Sequence, residues 1–264
     1  MGVLAHGSDI ALAPTVSCLV WQRRRNIADA LDRVAAMGFR SVQLDATLSG
    51  IRPRELNRRA RKDLLAWLSR RDLRLAGLDF FIPRQHYVEI EHIDRAMNAT
   101  TAALELAADL GKVPLSVALP IEKLGQSERA ALAEAADRYD VPLAVHAEDQ
   151  LDALVSWIRD VDLPVVGCGI DPASVLANGG NPIRLVQDPG MQWLVARLSD
   201  ARIDASAQRC DVGDGDLDVV NYRVALDLSV DRVGPVVLDL RSLNDAMGSA
   251  THADEMWSNA AFSI

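Results

Sequence analysis

The succession of apolar runs and helical stretches predicts a single α/β domain over residues 1–264, a (β/α)8 TIM barrel of parallel strands. Three observations carry the prediction. Eight short runs rich in β-branched residues or leucine are each followed, within a loop or two, by a stretch of helical spacing. The runs are continuously apolar rather than alternating, as expected of strands covered on both faces. Five of them stop on an aspartate, at Asp45, Asp79, Asp171, Asp200 and Asp239. Parallel strands deliver those carboxylates to one end of the sheet, the end at which a β/α barrel does its chemistry.

The strands are expected near 12–20, 39–45, 73–80, 113–119, 142–147, 164–170, 191–199 and 235–240. Helices are expected near 26–37, 53–70, 89–110, 126–139, 149–160, 172–177, 216–229 and 249–261. Period supports the helices: Ile27, Ala30, Leu31, Val34 and Ala35 form one stripe, and Leu151, Leu154, Val155 and Ile158 another. Leu217, Val220, Val224 and Leu228 form a third. Gly38 and Gly111 follow helices as terminating residues, and Pro53 suits a first helical turn. Ser127 makes no capping box, so the 126–139 helix rests on periodicity alone. The longest irregular stretches, 178–190 and 201–215, are expected as loops over the barrel mouth. No linker or low-complexity tract breaks the chain.

Composition narrows the function classes. At 264 residues and 49% hydrophobic, the chain can bury one full barrel core. No stretch approaches the 18 or so apolar residues of a membrane span. The start has neither a basic leader followed by an apolar region nor a myristoylation pattern, and 16–21 reads as part of the first strand. Cys18, Cys168 and Cys210 lie far apart without a CxxC, the pattern of free thiols in a reducing cytoplasm. The net charge of −9 divides into 14 basic and 8 acidic residues over 1–80, against 14 and 29 over the remainder. The basic clusters (Arg23 to Arg25, Arg52 to Lys62, Arg70 and Arg71) fall on helices or their entrances without interleaved aromatics. They read as solvated faces, and nucleic acid is not an expected partner. No Gly-rich phosphate fingerprint follows the first strand, so no nucleotide cofactor is expected.

The chemistry-bearing residues cluster at strand ends. On the fifth strand, His146 and Glu148 share a side by the two-residue period, where a histidine beside carboxylates serves as metal ligand, general base or hydrogen-bonded structural residue. Asp171, followed by Pro172, suits either a site or a helix N-cap. Asp239 lies among apolar residues, so its charge needs pairing or ligation, and Arg241 two residues on is a candidate partner. Arg197, Arg209 and Asp200 stand where substrate oxygens would be gripped, although the arginines equally suit neutralising nearby aspartates. The acidic segment Asp211 to Asp218 lacks the Gly and Glu of a calcium loop and reads as a turn capping the next helix. No Gly-x-Ser-x-Gly elbow or Cys/His pair marks a nucleophile. His86 is expected to overhang the mouth, and His6, His92 and His252 have nothing beside them to suggest a role.

Several segments in order resemble the xylose-isomerase-like barrel superfamily, the sugar-phosphate isomerase and epimerase group. They are 38–44, 104–111, Gly169 to Pro172, Leu198 to Ala201, and Arg209 to Asp216. The resemblance implies a divalent metal held by a Glu ending strand five, an Asp ending strand six, a His on strand seven and a Glu on strand eight. Carried over, these positions fall on His146, Asp171, a site near Arg197, and Asp239; a Glu common on strand two is Gln43. Ala173 and Ser174 stand where a Gly-His often follows the strand-six Asp. The implied metal ligands are therefore His146, Asp171 and Asp239, and the ion one of manganese, zinc or magnesium.

The activity so implied is isomerisation or epimerisation of a sugar or sugar phosphate by proton abstraction next to a carbonyl. His146, Glu148 and Asp239 are the candidate catalytic residues, and Arg197, Arg209 and Asp200 the candidate substrate contacts. An oligomer is compatible with the sequence. The rival expectation is a degenerate barrel without metal chemistry that binds a small polyol or anion, or acts as a partner protein. It is motivated by Arg197 and Gln43 in ligand positions.

Overall fold

The computed structural model describes residues 10–23, 26–203, 208–229 and 234–261. Arg24, Arg25, His6 and part of the 201–215 stretch lie outside them. In chain order the strands are β1 (Leu12–Pro14), β2 (Ser41–Asp45), β3 (Arg74–Phe80), β4 (Leu115–Ala118), β5 (Leu143–His146), β6 (Val166–Ile170) and β7 (Trp193–Leu198). A small hairpin, β8 (Asp200–Ala201) and β9 (Arg209–Cys210), precedes β10 (Val236–Leu238). The helices are α1 (Val16–Arg23), α2 (Ile27–Ala36), α3 (Arg58–Ser69), α4 (Ile93–Asp109) and α5 (Gln126–Tyr139). They continue with α6 (Leu151–Val161), α7 (Pro172–Ala177), α8 (Pro182–Val186), α9 (Val219–Leu228) and α10 (Ala246–Ala261).

Eight parallel strands pair in the order β1-β10-β7-β6-β5-β4-β3-β2, and a parallel bridge between Thr15 and Gln43 brings β1 against β2 to close the ring. This is the expected (β/α)8 barrel. The strands are buried along nearly their whole length, which accounts for their continuous apolar character. Because all eight run the same way, the residues ending them surround one mouth.

The first strand is shorter than expected. It stops at Pro14, and the apolar residues from Val16 form α1 instead of continuing to residue 20. Val16, Cys18 and Leu19 are buried on that helix, and a short buried helix and a buried strand have the same continuous apolar signature. Thr15 fixes the turn: its N–H donates to the Leu238 carbonyl at 3.0 Å, and its hydroxyl accepts from the Leu240 N–H at 3.1 Å.

Several helix starts also move inward. The 53–70 stretch opens with a 3-10 turn at Pro53–Glu55, and α3 begins after Asn57, whose side chain caps Ala60 N–H at 3.0 Å. The stretch 178–190 contains α8, capped by Asn181. Asp218, at the end of the acidic turn, caps α9 by accepting from Asn221 N–H at 3.0 Å. One member of the basic clusters departs from a solvated face. Arg61 is buried and joins α3 to α4 through Glu105 at 2.9 Å and Asp109 at 2.7 Å. Cys18 and Cys168 are buried free thiols, and burial pushes the Cys168 thiol up to about 12.

Candidate active site

β5 ends at His146, and Glu148, in the turn that follows, comes back to the imidazole. His146 Nδ1 lies 3.0 Å from Glu148 Oε1, and the same oxygen accepts the Asp171 N–H at 3.1 Å. The ends of β5 and β6 are thus tied together through one carboxylate oxygen. The other face of the imidazole ring edge presses on β6: a Cβ at Gly169 would lie 2.2 Å from His146 Nε2. Only glycine leaves room for this ring. Phe81, after β3, meets the ring edge-on at 5.6 Å. Nε2 itself is buried with no hydrogen-bond partner among the described residues.

A second group fills the upper barrel. Arg197 of β7 is fully buried and donates through Nη1 to Asp239 Oδ2 at 3.1 Å and through Nη2 to Asp79 Oδ1. Gln43 Nε2 donates to that same Asp79 oxygen at 2.9 Å. Arg241 turns back onto Asp239, its Nε 2.9 Å from each carboxylate oxygen, and its Nη2 reaches Asp171 Oδ2 at 3.0 Å. Arg209, from β9, donates to Asp171 and lies 3.3 Å from Asp239. Ser199 and Ser174 complete Asp171, donating at 2.6 and 3.1 Å. Asp171 does occupy the N-cap position of α7, yet its carboxylate serves these partners and makes no cap bond.

Three arginines therefore neutralise three aspartates in one connected network. Burial alone would push the Asp239 carboxyl up, but Arg241, Arg209 and Arg197 hold it well below the ordinary carboxylate range. Asp171 is likewise held low, by Arg209, Arg241 and Arg197 acting against burial. Burial would lower Arg241, and Asp239 with Asp171 raises it instead. Asp171, Asp239, Arg197 and Arg241 are therefore charged at neutral pH.

Above the network lies a cavity of about 370 Å³, lined by His146, Glu148, Asp171, Arg84, Arg209 and Arg241 among others. Arg84 closes one side by donating to both oxygens of Asp149 at 2.8 and 3.0 Å. Of the residues expected from sequence, His146, Glu148, Asp171 and Arg209 come together here. Asp239 and Arg197 lie beneath the cavity. The expected substrate contact from Arg197 is unavailable, because that side chain is wholly enclosed and stacked 4.9 Å from the Phe81 ring. Asp200 is also diverted. Its carboxylate accepts the backbone N–H groups of Ala201, Gly213, Gly215 and Leu217 at 2.8–3.1 Å and organises that loop.

The side chains as placed do not fit the divalent ion that the resemblance implied. A metal needs its ligand oxygens uncommitted and its neighbours uncharged or negative. Here the Asp171 and Asp239 oxygens are bound by Arg209 and Arg241, and the free nitrogen of His146 faces Gly169. Guanidinium groups hold the positions next to both carboxylates.

No protein-family model and no curated protein sequence matches the chain. Solved structures do. A xylose isomerase domain protein from Planctomyces limnophilus aligns with a TM-score of 0.76 at 16% identity, covering 97% of this chain and 98% of that one. The fold is that of the xylose isomerase-like TIM barrels. Within this fold group, the IolI protein with a bound zinc atom aligns at TM-score 0.70 and 15% identity, covering 96% of this chain and 100% of that one. A D-psicose 3-epimerase from Clostridium cellulolyticum, solved with D-tagatose, aligns at TM-score 0.67 and 12% identity, over 95% and 99% of the two chains.

The sequence of this xylose isomerase-like barrel does not single out Arg84, Phe81 or Ser199, points to Ser174 only by its place after Asp171, and points to Arg241 only as a partner of Asp239. Arg84 and Phe81 sit on the loop after β3, where no periodicity signals a direction. The signal available for Arg84 was a cation in a loop leaving an Asp-bearing strand.

Proposed function

We propose that the cavity is the active site of a sugar or sugar-phosphate isomerase or epimerase-like enzyme. In this reading Glu148 is the base, and Arg209 and Arg241 are the electrophiles. The carrying observation is that Glu148 Oε1 is fixed by His146 and Asp171 N–H while the Arg209 and Arg241 guanidinium groups line the same cavity. With Oε1 engaged, Oε2 is the oxygen that can take a proton from a carbon next to a carbonyl. The electron pair moves into an enediolate, whose oxygen charge the arginines offset in a partly dry site. Return of the proton from Glu148 to the neighbouring carbon, together with passage of the hydroxyl proton from the oxygen that becomes the new carbonyl to the former carbonyl oxygen, completes an isomerisation; return to the opposite face of the original carbon gives an epimer. His146 is a positioning residue, and Asp171 and Asp239 hold the arginines in place. Structures of similar fold include an epimerase, which supports this general kind of reaction.

The test is turnover across a panel of aldoses, ketoses and their phosphates, wild type against Glu148→Gln. A loss of about 100-fold or more follows from removing a general base, and equal turnover in the variant contradicts the assignment. A second reading, a barrel that binds a neutral polyol without converting it, is favoured by the saturation of Arg197, Arg209 and Arg241 with carboxylates, which leaves them less able to offset charge on a substrate oxygen. It expects ligand binding without conversion.

A further inference from the structure

We propose that His86, Glu89 and His92 form a separate site for one zinc ion, on the turn between β3 and α4. Neither histidine belongs to the cavity described above. The three residues stand three apart, His86 on the 3-10 helix Arg84–Tyr87 and Glu89 and His92 on the hydrogen-bonded turns that lead from it into α4. His86 N–H donates to Pro83 O at 2.9 Å, Glu89 N–H to Gln85 O at 3.0 Å, and His92 N–H to Glu89 O at 2.9 Å. Each step therefore carries the next side chain to the same side. Their ligand atoms all lie within 4.8 Å of one another, the one such grouping of three His, Cys, Asp or Glu side chains among the described residues. Glu89 Oε2 is 3.7 Å from His92 Nε2, and the two imidazole rings stand 4.7 Å apart, tilted by 58°.

The spacing suits the ion. Ligands at about 2.0–2.1 Å around tetrahedral zinc sit roughly 3.3–3.5 Å from each other, so a small rotation of side chains closes the set. His92 and Glu89 are 42% and 46% exposed and free to make it. The turn beneath them is anchored. Tyr87 is fully buried and its hydroxyl lies 2.8 Å from Thr100 Oγ1 on α4, so binding does not have to order the backbone. Two imidazoles and a carboxylate favour zinc over magnesium or calcium, which prefer all-oxygen shells. They also leave a fourth position open. His86 and His92 line a cavity of about 440 Å³ together with Arg52, Arg54 and Arg95, so water or a small anion is the natural fourth ligand. The same turn carries Arg84, whose bond to Asp149 joins the loops after β3 and β5.

The test is zinc titration of the chelator-treated full-length protein by calorimetry. One zinc per chain is expected, weakened at least 30-fold in His86→Ala and in His92→Ala and unchanged in Glu148→Gln. The alanine variants alter partly exposed side chains, and an unchanged metal-free melting temperature verifies their folding. Cobalt added to the wild-type chain gives an independent reading. An intense visible band marks a four- or five-coordinate site, whereas a weak six-coordinate spectrum counts against it. Absence of zinc binding below about 100 μM, or binding that survives in the double alanine variant, overturns the proposal. Zinc binding lost in Glu148→Gln but kept in His92→Ala also overturns it, by placing the ion at the mouth.

Discussion

Arg197 reaches Asp239 across 3.1 Å with both side chains shut off from solvent. Asp79 takes the second arm of the guanidinium, so one buried cation holds two strand-ending carboxylates from opposite parts of the barrel. A charge so enclosed persists only because its partners are fixed, and removing it leaves anions stranded in a low-dielectric interior. Arg197→Met is expected to lose about 3–5 kcal/mol of unfolding free energy, measured by urea denaturation. Asp79→Leu combined with Arg197→Met should recover a substantial part, since an apolar pair needs no compensation. A single variant as stable as wild type would show the network contributes nothing.

Acid should loosen this region before neutral or mildly alkaline conditions do. Asp171 and Asp239 have folded-state values held below the ordinary carboxylate range, so the folded chain protonates less readily than the unfolded one. Their stabilisation is complete above the unfolded value of about 3.9 and is lost as pH falls through the lower folded values. Urea midpoints should decline below about pH 4, and less steeply in Asp239→Asn. Parallel pH profiles for the two proteins would remove Asp239 from the account.

Gly169→Ala probes the close approach of β6 to His146. The added Cβ would lie 2.2 Å from His146 Nε2, so the ring must move and its bond to Glu148 with it. A cost of roughly 1–3 kcal/mol is expected from overpacking, together with loss of turnover. The double variant Gly169→Ala/His146→Ala should regain stability relative to Gly169→Ala, because the clash has gone. Additive effects in that cycle would show that the two residues do not press on each other.

Asp200 is expected to matter for loop order rather than for substrate affinity. Four backbone N–H groups converge on its carboxylate, and Gly215 leaves it room: a Cβ there would lie 2.3 Å from Oδ1. Asp200→Ala should speed hydrogen exchange over 208–217, the segment that carries Arg209, and raise KM through that arginine's displacement. Unchanged exchange with a raised KM would return Asp200 to direct substrate contact.

The barrel was legible because period and apolar continuity are local signals repeated eight times. Strand ends were legible for the same reason: Asp45, Asp79, Asp171 and Asp239 all arrive at the mouth or just inside it. Roles were less so, because they depend on which distant side chain each carboxylate meets. Nothing in sequence separates Asp200, spent on four backbone donors, from Asp171, spent on Arg209 and Arg241. The strand expected at 16–20 failed for a different reason, since a buried helix and a buried strand of that length share one apolar pattern. Position along a strand says which way Arg197 points but not how deeply it is enclosed, so the sequence leaves a substrate contact and neutralisation of nearby aspartates equally open, and the structure shows the second.

Proton exchange at Glu148 is the most direct test of the proposed chemistry. Candidate sugars and sugar phosphates incubated in D2O with excess chelator should gain deuterium at the carbon next to the carbonyl, followed by NMR. Wild-type protein is expected to catalyse this exchange on at least one substrate without added metal, and Glu148→Gln to slow it by about 100-fold or more. Exchange that needs a divalent ion, or that proceeds undiminished in Glu148→Gln, would contradict it.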